Sequence, residues 1–477
     1  MKVALVLCPS WDSRFSTYAL ASLASGLGAR GHEAEIFDLN QVFFQLARAS
    51  SASSGAADAA DDASLWMQPS FVRGKMEEHA GYLESFVDDV LARGHRVVGF
   101  SVYFSTLRMS LEIARLFKRK DPRIVVVFGG SHYLKFERCR KTMADDCVDA
   151  VAYGEADLSF PDFIDRLERT GRPGACPGIL LRDDASTWKE TKPPLPDLDA
   201  LPFADFKAHR LGAVRAKTIN TSRGCVRKCD FCSEWRQMGF RQKSAERVHQ
   251  EVRRQLADHP GIQSFMFADS LVNGVPKEFE LLCERMIRDP LGISWGGYAI
   301  IRPEMTRAVL DRTRQTGCGS LFYGVESGSE RLRRLIGKNT PDALIASVLR
   351  ETVASGINTV VGCIAGHPRE TESDFERTLS FLEANAGGIS LLHLSAFGAQ
   401  ELEGEEESYG LLPLSETTPW LWRTKDGSNT LPVRIERVRR LARAACELGI
   451  EALFENRANG RIDARCDEML ERYRRSG

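Results

Sequence analysis

No run in this 477-residue sequence approaches the ~20 consecutive apolar residues that a membrane-crossing helix needs. Charge of neither sign is in excess: 64 Lys and Arg stand against 65 Asp and Glu, a formal net charge of −1. A bulk electrostatic grip on nucleic acid or on an anionic membrane is therefore not expected. The apolar run at the N-terminus is cut short by Cys8-Pro9-Ser10-Trp11-Asp12, which makes it a poor secretory signal and points to the reducing cytoplasm. The dinucleotide fingerprint G-x-G-x-x-G is also missing after this first strand, which disfavours NAD or FAD. What remains is a chain of ordinary apolar and charged content, too long for one hydrophobic core, so two or three domains are expected.

The first half alternates strand-like and helix-like segments. Val3 to Leu7, Ala34 to Leu39, Val97 to Val102, Ile124 to Phe128 and Val148 to Tyr153 are short apolar runs. Between them lie helical patterns such as Tyr18 to Gly31 and Ser110 to Lys120. Repeated βα units with apolar strands predict a Rossmann-like, doubly wound parallel sheet over residues 1–190. Ala49 to Ala63 reads as a mobile loop. The Pro- and Asp-rich stretch from Lys192 to Phe206 places a linker at 191–213. The βα rhythm resumes at Thr218 to Asn220, Ser264 to Ala268, Ser294 to Ala299, Ser320 to Gly324, Thr359 to Ile364 and Ser390 to Ser395. These six strands suggest a partial (β/α)6 TIM-type barrel over 214–400. From Glu401 the rhythm fails, and 401–477 reads as a small helical tail with one helix near Val433 to Leu448. The arginines of that helix (434, 437, 439, 440 and 443) are expected on a solvated face. Trp420 and Trp422 are expected in a core.

Twelve cysteines are present, and three of them, Cys225, Cys229 and Cys232, fall within eight residues just after the first strand of the second domain. Random placement would produce this C-x3-C-x2-C spacing only about 0.006 times in such a chain. An odd number in a reducing compartment argues against disulfides. Structural zinc needs four closed ligands, and the nearest downstream candidate is the lone His249. An iron–sulfur cube held by three thiolates is the better fit, because it leaves one iron open for chemistry. Cys283, Cys318 and Cys363 read as core residues, Cys8 as packing, and Cys446 and Cys466 as too isolated to hold a second cluster.

The segment Cys225-Val226-Arg227-Lys228-Cys229-Asp230-Phe231-Cys232 resembles the cluster motif of the radical S-adenosylmethionine (SAM) superfamily. The resemblance runs from about Val214 to Phe397. It implies a [4Fe-4S] cluster on Cys225, Cys229 and Cys232, with SAM chelated at the open iron and split reductively. It further implies that Phe231 packs near the adenine and that Asp269 and Ser270 lie near the methionyl amine. Glu326 and Ser327, in Tyr323-Gly324-Val325-Glu326-Ser327-Gly328-Ser329, would meet the ribose. Gly362, Ile364, Gly366 and Glu370 would belong to the adenine-contacting segment. Read only as local structure, Glu326 would cap a helix, and Gly362 and Gly366 would serve a tight turn.

A Rossmann-like domain ahead of such a barrel resembles the cobalamin-binding subfamily. The strand-end residues Ser101, Tyr103, Gly129, Gly130, Ser131, His132, Gly154 and Glu155 would then lie at the corrin. The subfamily's Asp-x-His-x-x-Gly signature is absent from the chain. The resemblance implies C-methylation of a small-molecule or peptide intermediate, with an electron donor such as flavodoxin or ferredoxin. Without cobalamin it would imply a dehydratase, epimerase or cyclase. A non-catalytic metal-binding protein is the third alternative. No catalytic acid or base stands out.

Overall fold

The computed structural model describes all residues except 51–61, 184–187, 189–192, 211–215, 233, 403, 416–417, 456 and 477. The loop expected at Ala49 to Ala63 lies largely outside the described residues. The protein is mixed α/β, built on two mainly parallel sheets. It divides into two compact units, Met1–Thr218 with Gln250–Ile262, and Ile219–His249 with Gln263–Gly477.

The first unit holds six strands: β1 (Lys2–Leu7), β2 (Glu33–Asp38), β3 (Val97–Ser101), β4 (Val125–Gly129), β5 (Ala150–Ala152) and β6 (Ile179–Leu181). They lie in the order β2-β1-β3-β4-β5-β6, with only β6 antiparallel. The order reverses between β1 and β3, so successive connections cover opposite faces. The alternation in β1 shows it directly. Val3, Leu5 and Leu7 join the helices Tyr18–Gly28 and Ser159–Thr170 through Leu20, Leu27, Phe160 and Phe163. Ala4, Val6 and Cys8 join the helices Ala80–Ala92 and Leu107–Lys120 through Phe86, Val90, Ile113 and Phe117. Continuous apolar strands are what a sheet covered on both faces requires.

The expected linker is not a free spacer over its described part. Ala204, Phe206 and Ala208 alternate into the core beside β1, and the Asp205 N–H donates to the Ala21 carbonyl at 2.9 Å. Their period-two spacing buries one side of the segment despite its polar composition.

The division at Thr218 falls within β7 (Lys217–Ile219); beyond it come the short antiparallel pair β8 (Ser222–Arg223) and β9 (Arg241–Gln242), then β10 (Ser264–Phe267), β11 (Ser294–Ala299), β12 (Cys318–Glu326), β13 (Asn358–Ala365) and β14 (Leu391–Ala396). A small antiparallel pair, β15 (Leu411–Pro413) and β16 (Trp422–Thr424), precedes β17 (Glu451–Phe454) and β18 (Arg457–Ala458). The large sheet runs β18-β17-β14-β13-β12-β11-β10-β7. From β7 to β17 each strand lies beside its predecessor in the sheet, with no reversal. One face is therefore covered by helices and the other stays more open. In β12, Leu321, Tyr323 and Val325 are buried, while Phe322, Gly324 and Glu326 are half-buried.

Two expectations for the C-terminal region are corrected. It is not a separate helical tail. The helix Leu431–Glu447 leads into β17, which pairs parallel to β14 with Leu392 opposite Ala452 and Leu394 opposite Phe454. β17 is only four residues long, with just Ala452 and Phe454 fully inside, too short to stand out as a periodic pattern. Nor do all the helix arginines face solvent. Arg434 is fully buried, donating to Asn429 Oδ1 and to the carbonyls of Trp420 and Trp422, with its guanidinium 3.6 Å from the centre of the Trp422 ring. Arg437 is buried against Glu370. Trp420 and Trp422 are core residues, as are Cys8, Cys283, Cys318 and Cys363. Cys466 is also buried, and Cys446 is exposed. Among the described residues no helix is long and apolar enough to cross a membrane.

The helix Glu372–Asn385 starts in a capping box between Thr371 and Asp374. Asp374 also accepts from Ser329 Oγ at 2.5 Å and Arg331 Nε at 3.0 Å, tying the helix start to the turn after β12. Burial would raise its pKa, but bonds from Arg331, Ser329 and Thr371 outweigh burial and hold the carboxyl well below the ordinary range. A depressed carboxylate stabilises the fold above its unfolded pKa and loses that contribution as pH falls through the folded one. We expect Asp374→Asn to cost about 2 kcal/mol at pH 7. Urea unfolding at stepped pH should show the gap between variant and wild type closing as the pH drops below ~4.

Candidate functional site

The cysteine loop follows β8 and is anchored at its base by a buried carboxylate. Asp269, at the end of β10, accepts from the Ser222 N–H at 2.5 Å and from Ser222 Oγ at 3.3 Å. Burial pushes its pKa up to about 6, offset in part by hydrogen bonds from Ser222 and Thr221. Asp269 therefore holds the strand that delivers the loop. Ser270, its neighbour, is exposed and donates to Glu234 at 3.2 Å. Gly224 has φ +73°, and a side chain there would meet the Met238 carbonyl at 2.7 Å, so the turn into the loop requires glycine.

Cys229 is buried, and Cys225 and Cys232 are half-buried. Burial raises all three thiols, Cys229 to about 11 and Cys232 to about 12. Each lies within electrostatic reach of another thiol of the set. Among the described residues, however, no three His, Cys, Asp or Glu side chains converge tightly enough to hold one metal ion. Three thiols spread along one loop suit an iron–sulfur cube, whose corners are separate atoms.

Next to the loop, β12 ends in an irregularity. Its register with β13 shifts between Gly324 and Glu326, and Glu326 has φ +69°, rare for a residue with a side chain. Glu326 is re-aimed onto Lys338, whose Nζ lies 2.5 Å from Glu326 Oε1 and donates to the Gly324 carbonyl at 2.8 Å. Burial would lower Lys338, but Glu326 and Cys229 outweigh it and hold the amine above its ordinary value. Just before it, Gly337 passes so close to the cysteine loop that a side chain would sit 2.5 Å from the Lys228 carbonyl. Lys338 thus brings a positive charge to the thiols. The sequence reading missed it, because nothing in its local pattern sets it apart from a surface lysine.

Other expected site residues turn inward. Ser327 Oγ sits 3.1 Å from Thr378 Oγ1 and accepts from the Ser329 N–H. Glu370 accepts from the Gly366 N–H at 2.6 Å and pairs with Arg437 at 2.8 Å. Burial lifts its pKa to about 7 despite Arg437. Gly366 has φ +80°, and a side chain on it would collide with Arg434. Gly362 leaves room for the Phe322 ring, which a Cβ would meet at 2.8 Å. Phe231 and Ile364 do come together, packed against Phe397, Leu402, Leu411 and Trp422.

The open face of the sheet carries an aromatic row. The Tyr298 and Phe322 rings lie 4.7 Å apart, and Phe322 lies 5.5 Å from His393. Tyr298 is 40% exposed. These residues were also missed. The alternation in Leu391-Leu392-His393-Leu394-Ser395 carries the signal for His393, but only the tertiary pairing gives the face its neighbours.

In the first unit, Ser101, Tyr103, Gly129, Gly130, Ser131, His132, Gly154 and Glu155 gather at or just beyond the carboxyl ends of β3, β4 and β5. Ser131 is exposed, and Tyr103 stacks on Trp11 at 5.8 Å. The His132 ring is buried, with the Phe104 ring 5.8 Å and the Tyr133 ring 4.9 Å away. Gly130 at φ +103° is required by its approach to the Val102 backbone, and Gly154 by Pro193. The chain's own packing therefore accounts for both glycines.

Fold and site define a class: a parallel-sheet α/β protein with three thiols on the loop leaving β8, beside a carboxylate–amine pair. Residues 219–382 match the Radical SAM superfamily, which this segment of the chain therefore resembles. An uncharacterized methyltransferase of Pyrococcus horikoshii is 28% identical over 302 residues, which are 60% of this chain and 63% of that protein. The cytidylyl-2-hydroxyethylphosphonate methyltransferase of Streptomyces wedmorensis is 27% identical over 366 residues, covering 66% of each. The chain thus spans slightly less than two thirds of these relatives' length. The fold is that of the radical SAM methyltransferase TsrM from Kitasatospora setae, solved with cobalamin and a [4Fe-4S] cluster. The TM-score is 0.62 at 18% identity, covering 94% of this chain and 88% of that one.

Breaking one side of the Glu326–Lys338 pair leaves a largely buried charge uncompensated. Lys338→Met is expected to destabilise the protein by about 3 kcal/mol. Adding Glu326→Gln should recover most of that loss, read as the coupling energy in a urea-unfolding double-mutant cycle.

Proposed function

We propose that this chain is a cobalamin-dependent radical SAM C-methyltransferase acting on an unactivated carbon of a small-molecule or peptide intermediate. One juxtaposition carries the reading: a single chain joins a doubly wound sheet, with small residues at its carboxyl edge, to a singly wound sheet whose first strand leads into a three-thiol loop. In this reading the second sheet is an open TIM-type barrel whose more open face receives the substrate on Tyr298, Phe322 and His393. Cys225, Cys229 and Cys232 hold the [4Fe-4S] cluster. Phe231, Glu326, Ile364 and the backbone from Gly362 to Gly366 face SAM. Asp269, Ser270, Ser327 and Glu370 fix the segments that carry those groups. Ser101, Tyr103, Gly129, Gly130, Ser131, Gly154 and Glu155 form the corrin edge, and His132 supports it from below without ligating cobalt. When bound, the cluster with SAM supplies hydrogen-atom abstraction, and the corrin supplies the methyl group. The protein orients the reacting carbon and excludes water. A flavodoxin- or ferredoxin-type electron donor and a cytoplasmic setting complete the reading.

The buried His132 and the packing roles of Gly130 and Gly154 favour one competing reading, a cobalamin-free dehydratase, epimerase or cyclase on the same barrel. Anaerobic purification, iron and sulfide reconstitution, and product analysis under reduction separate the two. Retained corrin, with 5′-deoxyadenosine and S-adenosylhomocysteine both formed, is the expected result. Deoxyadenosine without retained corrin would favour the competing reading. SAM cleavage at the wild-type rate by Cys229→Ala would sink both.

A further inference from the structure

The cysteine loop is irregular, and part of what holds it comes from a segment about 170 residues later. Tyr409, at the end of a short 3-10 turn (Glu406–Tyr409), donates its hydroxyl to Asp230 Oδ2 at 3.0 Å. Asp230 lies between the second and third cysteines. His367 Nδ1 accepts from the Arg369 N–H, so its proton sits on Nε2, 3.4 Å from the same Asp230 oxygen. Arg236 donates to the Asp230 carbonyl at 2.9 Å and pairs with Glu405, at the start of that turn. Tyr409 also packs, with Phe231, on the apolar cluster of Phe397, Leu402, Leu411 and Trp422. The barrel contributes the Asp230 N–H to Ile336 carbonyl bond at 3.2 Å and the Arg227 bond to the Ile301 carbonyl at 3.3 Å.

We propose that residues 405–409 form a clasp on the cysteine loop, with Tyr409 and Glu405 as positioning residues that set where Cys229 and Cys232 present their sulfurs. The inference rests on the cluster assignment above. It goes further by making the segment beyond the barrel part of the cluster's mounting. An unstructured loop that carries three ligands keeps their geometry only if external bonds fix its backbone. Two of those bonds come from the clasp, one to the Asp230 side chain and one through Arg236 to its carbonyl.

The test uses the full chain, reconstituted with iron and sulfide. Tyr409→Phe is expected to take up the cluster, to release iron to a chelator about tenfold faster, as loss of one hydrogen bond to a charged group implies, and to change the electron paramagnetic resonance spectrum of the reduced, SAM-bound cluster. The same change made in an Asp230→Ala background should add nothing, because the acceptor is gone. Glu405→Gln is expected to move iron release and the spectrum in the same direction, and it carries the comparison if Tyr409→Phe fails to fold. Wild-type iron release and spectrum in both variants would overturn the clasp. So would an effect of Tyr409→Phe that persists beside Asp230→Ala, or a fall in apo-protein unfolding stability that accounts for all of the iron loss. A wild-type protein that binds no cluster would instead refute the cluster assignment.

Discussion

Three thiols carried on a loop with no ladder of its own are the constraint on which the second unit turns. A strand keeps its shape through hydrogen bonds to its neighbours, whereas residues 225–232 form no ladder, and among the described residues their internal backbone–backbone bond runs from the Cys232 N–H to the Cys229 carbonyl. Inside the loop the Arg227 N–H also reaches Cys225 Sγ at 3.4 Å, and the other bonds described here come from outside it. Asp269 grips the strand before it, Gly224 permits the entry turn, and Ile336 and Ile301 supply carbonyls. Trp235 donates its ring N–H to the Cys229 carbonyl at 2.8 Å. The buried charge beside the loop follows from the same constraint. The Glu326–Lys338 pair is stable only because the bulge in β12 turns the carboxylate onto the amine.

The two sheets solve different problems with the same βα unit. In the first, strand order reverses between β1 and β3, and both faces are covered. In the second, order never reverses, so helices cover one face and the other remains available. That open face carries Tyr298, Phe322 and His393, and its strand ends carry the loop and the carboxylate. The division of labour between an edge and a face is a consequence of connection order, not of composition.

Several residues singled out for chemistry turn out to serve the scaffold, and the reverse also occurs. Gly366 and Glu370 are engaged by Arg434 and Arg437 from the helix Leu431–Glu447, so a segment expected to touch a nucleoside is itself braced by the C-terminal region. Those arginines read as solvated because a run of five on one helix usually is. Their burial is decided by Trp422, Asn429 and Glu370, which no helical spacing reveals. Lys338, Tyr409 and His367 carry no signature either. Lys338 meets Glu326 twelve residues before it, whereas Tyr409 and His367 meet Asp230 across far longer stretches, 179 residues for Tyr409.

Local rules were enough for much of the protein. Apolar runs of strand length located β1 to β4 and β10 to β14 to within about two residues, because a covered strand must be apolar along its length or on alternate positions. The cysteine spacing was legible because all three thiols fall within eight neighbouring residues. Tertiary structure alone decided the rest: that β17 continues the second sheet, that the linker's described part joins the first core, and that the cysteine loop is held by residues from the far end of the unit. Spacing in sequence records what neighbours must do for each other. Pairings across a hundred residues or more leave no such record, because either partner alone looks like any other polar side chain.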